Sequence, residues 1–190
     1  MSTLPISGLT MVEEDQAPAE VAEIYNEFKR HFQIPIAPNS IKTLAIAPAA
    51  LHNYWDFTRS FYQHTTLPES LTSMILFTIA ERRNCKYCSA SHEMTCRSLG
   101  IDEATLAALV KDLGNVNPLR IRTIIEFALK AADRAQELVV DDYERVREQG
   151  VTDEELMEII HIVAMANYLD TLSDATKIEV DPMVTQALGR

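Results

Sequence analysis

The sequence predicts an all-α fold, and three observations carry that prediction. Only five glycines occur in 190 residues, alternating β-branched runs are scarce, and apolar residues recur at helical spacing along most of the chain. With 47% hydrophobic and 24% charged residues the chain can bury a sizeable core, and its length suits one all-helical domain over 1–190. Within it we expect an N-terminal part over about 17–66, a cysteine-bearing core over about 67–112 and C-terminal helices over about 117–180.

The elements follow in order. Over 17–32, Val21, Ile24, Tyr25, Phe28 and Phe32 recur at helical spacing after Pro18, giving a first amphipathic helix. The two prolines of QIPIAPNS make a connector to a short apolar segment at 40–46 and a helix over 47–64, where Trp55, Phe57, Phe61 and Tyr62 read as packing residues. Leu67-Pro68-Glu69-Ser70 starts a strongly apolar helix that runs to Arg83. Asn84 is expected to cap the next helix, from Cys85 to Leu99, which Gly100 ends; Asp102 starts another over 103–112. Helices are expected over 117–136, 140–149 and 153–174, followed by a short tail.

The chain also resembles itself. LPESLTSMILFTIAERRNCKYCSAS aligns with TDEELMEIIHIVAMANYLDTLSDAT at an offset of 85 residues, which is the pattern of a duplicated helical unit. In the second copy Asp170 stands opposite Cys85 and Ser173 opposite Cys88.

Composition excludes several function classes. With 28 acidic residues against 17 basic and a net charge of −11, the chain is not built to wrap nucleic acid. No apolar run reaches the roughly 20 residues of a spanning helix, and MSTLPISGLTMVEEDQ lacks the basic start and apolar stretch of a secretory signal, so the expected address is cytoplasmic with no membrane partner. The acidic run Glu13-Glu14-Asp15 reads as a solvated terminal segment, and His31, His52, His64 and His161 as surface or core residues.

The chemistry lies in AERRNCKYCSASHEMTC, which holds all three cysteines of the chain. At i and i+3 on a helix, Cys85 and Cys88 share a face and can close a disulfide reversibly. His92 follows Cys88 by one turn, where an imidazole can take the thiol proton, and Glu81 precedes Cys85 by four residues, in place to orient the histidine if the helix break is mild. The helix N-terminus and a local excess of Arg82, Arg83, Lys86 and Arg97 over Glu81 and Glu93 favour a thiolate. Zinc is the rival reading. Cys85, Cys88, His92 and Cys96 have ligand chemistry, but on one straight helix Cys85 and Cys96 lie roughly 16 Å apart along the axis, so no metal is expected; Cys96 reads as a core residue.

At ERRNCKYCSASH the chain resembles the alkylhydroperoxidase D-like branch of the carboxymuconolactone decarboxylase family. GVTDEELMEIIHIVAMANYLDTLSDATKIEVDP is similar to that branch's C-terminal helix, and AEIYNEFKRHFQIPIAPNSIKTLAIAPAALHNYWDF to the entry helices of its peroxidase-related members. The resemblance covers most of the chain. It implies an all-helical bundle, homo-oligomers, and thiol-dependent reduction of a hydroperoxide without a cofactor, reset by a dithiol or protein reductant. Cys88 is then the attacking thiol, Cys85 the resolving thiol and His92 the base. The family's best-known members place a glutamate twelve residues before the first cysteine; here Ser73 occupies that position and Glu81 is the natural substitute. Two other functions remain: a non-catalytic oligomeric redox sensor or binding protein, and a lactone decarboxylase, a branch that works without the thiol pair.

Overall fold

Helix boundaries follow from where the chain can no longer bond to itself. In the computed structural model, which describes residues 7–190, ten α-helices form and no strand is present among those residues. Residues 1–6, part of the segment read for a secretory signal, lie outside the described residues. None of the helices is long and apolar enough to cross a membrane.

The chain divides into two compact units. The first comprises the residues up to Thr65 together with Ala175–Asp181. It holds α1 (Ala19–Phe32), α2 (Asn39–Leu44) and α3 (Pro48–His64). The stripe read in α1 is the buried one: Val21, Ile24, Tyr25 and Phe28 face inward, and Phe28 meets Trp55 of α3 with ring centroids 5.4 Å apart. The Trp55 indole N–H, which burial would otherwise leave unpaired, donates to Glu27 at 2.6 Å. The acidic run departs from the sequence reading. Glu13 takes the buried ammonium of Lys42 at 2.7 Å, and Glu14 pairs with Lys29 and accepts the Ala37 backbone N–H at 2.8 Å. A buried lysine needs an anion, and the terminal acids supply it. Asp181 accepts the first N–H of α2, from Asn39, at 2.8 Å.

The second unit comprises Thr66–Asp174 and Pro182–Arg190. Its helices are α4 (Glu69–Arg83), α5 (Lys86–Ser98), α6 (Glu103–Lys111), α7 (Leu119–Arg134), α8 (Val140–Arg147), α9 (Asp153–Thr176, as far as Asp174) and α10 (Pro182–Leu188). Every residue of α4 from Leu71 to Ala80 is buried, so α4 is the central helix; α5, α6 and α7 pack against it. Gly100, at φ +81°, turns the chain out of α5, and Asp102 caps α6 by accepting the Thr105 N–H at 2.7 Å. The expected tail includes α10, which packs on α5; beyond it the Arg190 guanidinium donates to buried Glu93 at 2.7 Å. The two halves of the internal alignment also differ: the first is broken at Asn84, while α9 runs unbroken through Leu169.

Candidate active site

The break between α4 and α5 places the sulfurs. Asn84 ends α4 in the left-handed region, at φ +58°, a conformation that asparagine tolerates better than most residues; the Cys85 N–H then bonds back to Ala80 at 3.0 Å. This corrects the capping assignment. Cys85, extended at φ −74° and ψ 98°, is itself the N-cap of α5, and its Sγ accepts the Cys88 backbone N–H at 3.4 Å. Cys85 therefore takes the place usually held by a serine or aspartate, and Cys88 sits at the third position of the first turn.

Both sulfurs are buried, and α9 covers them. The Cys88 thiol donates to the Ser173 hydroxyl at 3.4 Å. Both Sγ atoms and a carboxylate oxygen of Asp170 lie within 4.8 Å of one another. Asp170 is 2% exposed; its Oδ2 accepts no hydrogen bond and lies 3.7 Å from Nε of Arg83. Arg83 in turn donates to Asn167 at 2.6 Å, and Asn167 to the Ala132 carbonyl at 3.3 Å, so the cation beneath the carboxylate is fixed from α7 as well. Among the described residues this trio is where ligating side chains converge, and three donors are one short of a closed tetrahedral site. His92 and Cys96, weighed with the two sulfurs as zinc ligands, are not part of it.

The electrostatics differ from the sequence expectation of a ready thiolate. The Cys88 thiol is pushed far above the ordinary range, first by its hydrogen bond with Cys85, then by burial and by the charges of Cys85 and Asp170; only the Ser173 hydroxyl pulls it down. The local basic excess is taken up by carboxylates: Arg82 pairs with Asp133 at 3.5 Å, Arg83 with Asp170, and Arg97 with Glu93 at 2.7 Å and with Glu103. Burial, helped by Asp174, raises the Asp170 carboxyl, while both thiols and Arg83 hold it down. Burial and the charge of Glu93 push the Cys96 thiol up to about 12, as suits a core residue.

The remaining sequence candidates stand apart from the sulfurs. Glu81 accepts the hydroxyl of Ser89 in α5, clamping the break rather than reaching the imidazole. Ser73 is buried in α4. His92 lies one turn beyond Cys88, half-buried, with no hydrogen bond or ion pair to any described residue. Burial pulls its imidazole from 6.5 down to about 4, so it is neutral at pH 7.

That depressed value gives a signed prediction. An unfolded chain binds the His92 proton near its ordinary value, the folded chain only near pH 4. Between those pH values the unfolded state holds more protons, so stability falls as pH drops from about 7 to about 4, by at most about 3 kcal/mol from this group. His92→Asn should show a smaller loss than wild type in urea unfolding at pH 7 and pH 4. Equal losses would mean that the imidazole titrates alike in both states.

Residues Asp170, Ser173 and Arg83 were not assigned to the site from sequence. The internal alignment held the missing signal, since it sets Asp170 opposite Cys85 and Ser173 opposite Cys88, and these side chains meet.

No protein-family model and no curated protein matches the chain. Solved structures do. An uncharacterized peroxidase-related protein from Ralstonia eutropha, described as an alkylhydroperoxidase AhpD core, is 20% identical with a TM-score of 0.84, over 97% of this chain and 96% of its own. A peroxidase-related protein from Silicibacter is also 20% identical, with a TM-score of 0.83 over 97% of each chain. The debrominase Bmp8 is 15% identical with a TM-score of 0.79, over 95% of this chain and 96% of its own. A cysteine-to-alanine variant of that enzyme was solved in complex with 2,3,4-tribromopyrrole. At these identities the likeness is one of architecture: the chain has the alkylhydroperoxidase D-like fold.

Proposed function

We propose that the protein is a thiol-dependent hydroperoxide reductase that cycles Cys85 and Cys88 between dithiol and disulfide. The observation that carries this reading is the meeting of the two sulfurs at the start of α5, where the Cys88 N–H points at the Cys85 Sγ from 3.4 Å. Two cysteines three residues apart at a helix start, both with free thiols, are placed for oxidation to a disulfide at little cost in backbone movement. Cys88 attacks the peroxide, Cys85 resolves the sulfenic acid, and an external dithiol in a reducing cytoplasmic compartment restores the pair. His92, neutral at pH 7 and one turn from Cys88, is in the protonation state a base requires. Glu81 acts by holding Ser89, and so the orientation of α5.

The test is a thiol count before and after one equivalent of an organic hydroperoxide. Three free thiols should fall to one, with a Cys85–Cys88 bridge in the peptide map and Cys96 free. An unchanged count, or a bridge to Cys96, overturns the reading.

A second reading has one observation in its favour, the likeness to Bmp8. Reductive removal of bromine also converts a dithiol to a disulfide, and faster oxidation by a brominated pyrrole than by hydroperoxide would favour it. Under either reading the protein is proposed to be a homo-oligomer. Met157, Ala164 and Tyr168 form an exposed stripe on one face of α9, with Met157 at 62% exposure. Light scattering at micromolar concentration should give a multiple of 21.4 kDa; a mass of 21.4 kDa would refute this.

A further inference from the structure

The geometry points to Asp170 as the group that takes the proton from the Cys88 thiol and hands it to the leaving oxygen of the peroxide. This inference rests on the peroxidase reading and gives to Asp170, a residue that reading did not contain, the proton transfer that it left to His92. A buried thiol cannot lose its proton to water, and the base must lie within reach. His92 makes no bond to either sulfur, whereas the Asp170 carboxylate faces both thiols. Its buried Oδ2 accepts no hydrogen bond and has the Arg83 guanidinium 3.7 Å away, so it keeps a lone pair free to accept a proton. The cation of Arg83, held in turn by Asn167, keeps the carboxylate available in its ionised form.

The charged and titratable groups around this carboxylate come from three helices: Arg83 on α4, the two thiols on α5, and Asp174 on α9 itself. Burial makes Asp170 a stronger base than an ordinary carboxylate, which narrows the gap to the thiol it serves.

The step balances as follows. The Cys88 proton passes to Asp170, and the sulfur lone pair attacks the distal oxygen of the hydroperoxide. A sulfur–oxygen bond forms, the oxygen–oxygen bond breaks, and the departing alkoxide takes the proton from Asp170 to leave as an alcohol. Cys88 is then a sulfenic acid. Cys85 attacks its sulfur, the disulfide forms, and the hydroxyl departs as water with the Cys85 proton. Sulfur is oxidised and peroxide oxygen reduced, so Asp170 returns ionised with no other reactant needed.

A bystander and a proton shuttle predict opposite signs. The negative charge of Asp170 holds the Cys88 thiol up. If it did no more, Asp170→Asn would lower that pKa and speed every reaction of the thiolate. A shuttle predicts a split. Reaction with cumene hydroperoxide, which needs a proton on its leaving group, slows by a factor on the order of 10² in Asp170→Asn. Alkylation of Cys88 by iodoacetamide loses the same base but needs no proton on its departing iodide, so it slows by less than the peroxide reaction. Peroxide and iodoacetamide rates rising together in Asp170→Asn would overturn the inference.

Arg83→Gln is a second variant, at a side chain 34% exposed, which keeps the carboxylate and removes its cation. The Asp170 pKa then rises, and the pH at which the peroxide rate is half-maximal moves up; no movement overturns the inference even if Asp170→Asn fails to fold. A wild-type protein that reacts with cumene hydroperoxide no faster than free cysteine defeats the peroxidase reading, and this inference with it. A reactive wild type whose rate is unmoved by either variant defeats the inference alone.

Discussion

Cys88→Ser is expected to abolish reaction with hydroperoxide, by a factor on the order of 10³ or more, because a serine hydroxyl in the same pocket is neither acidic nor polarisable enough to attack the oxygen. Cys85→Ser should behave differently. The first oxidation still occurs, but no second sulfur is present to condense with it, so a sulfenic acid accumulates at Cys88 and can be trapped with a cyclic diketone. The pair of outcomes discriminates between the sulfurs because their positions differ. Cys85, as N-cap, has the Cys88 N–H directed at its Sγ, which suits the anion that attacks a sulfenic acid. Cys88 has the hydroxyl of Ser173 on its other side. Trapping of the sulfenic acid on Cys85 in Cys88→Ser would reverse the assignment.

The second large effect is structural. Ile75 lies in the middle of α4, fully buried, within a stretch where every residue from Leu71 to Ala80 is enclosed. A helix covered on all sides offers no solvent-facing side toward which neighbours can relax, so Ile75→Ala leaves most of its cavity open. A loss of about 3–5 kcal/mol is expected, read as a lower urea midpoint at an unchanged slope. Val110→Ala on α6, where the side chain is 47% exposed, should cost under about 0.5 kcal/mol. Similar losses at the two positions would contradict the placement of α4 at the centre.

The difference between what the sequence disclosed and what it withheld is one of range. The α1 stripe, the apolar run of α4 and the closeness of Cys85 and Cys88 are local properties, set by spacing within a few turns, and each was legible. Asn84 shows the limit of residue type alone. Asparagine suits a helix start and, through its tolerance of positive φ, a helix end; only the fold decides, and here the sulfur of Cys85 takes the cap while Asn84 closes α4. The seven residues of α10 are too few to show a period. Glu13 and Glu14 look solvated in sequence because their cations, Lys42 and Lys29, lie well downstream. Asp170 and Ser173 lie 85 residues from the sulfurs they meet, and no local pattern marks a buried aspartate as chemically distinct from a surface one.

The burial of Cys96 gives this protein an internal measure of its own breathing. The thiol is wholly enclosed on α5 and held far from ionisation, so a reagent in solution reaches it only in molecules where that helix has transiently opened. When opening and closing are fast compared with labelling, the observed labelling rate is the intrinsic rate multiplied by the open fraction. The free energy of opening then follows without denaturant. Once Cys85 and Cys88 are joined as a disulfide, Cys96 is the sole thiol left to label, and its rate registers how firmly the oxidised helix is held relative to the same helix in the reduced protein.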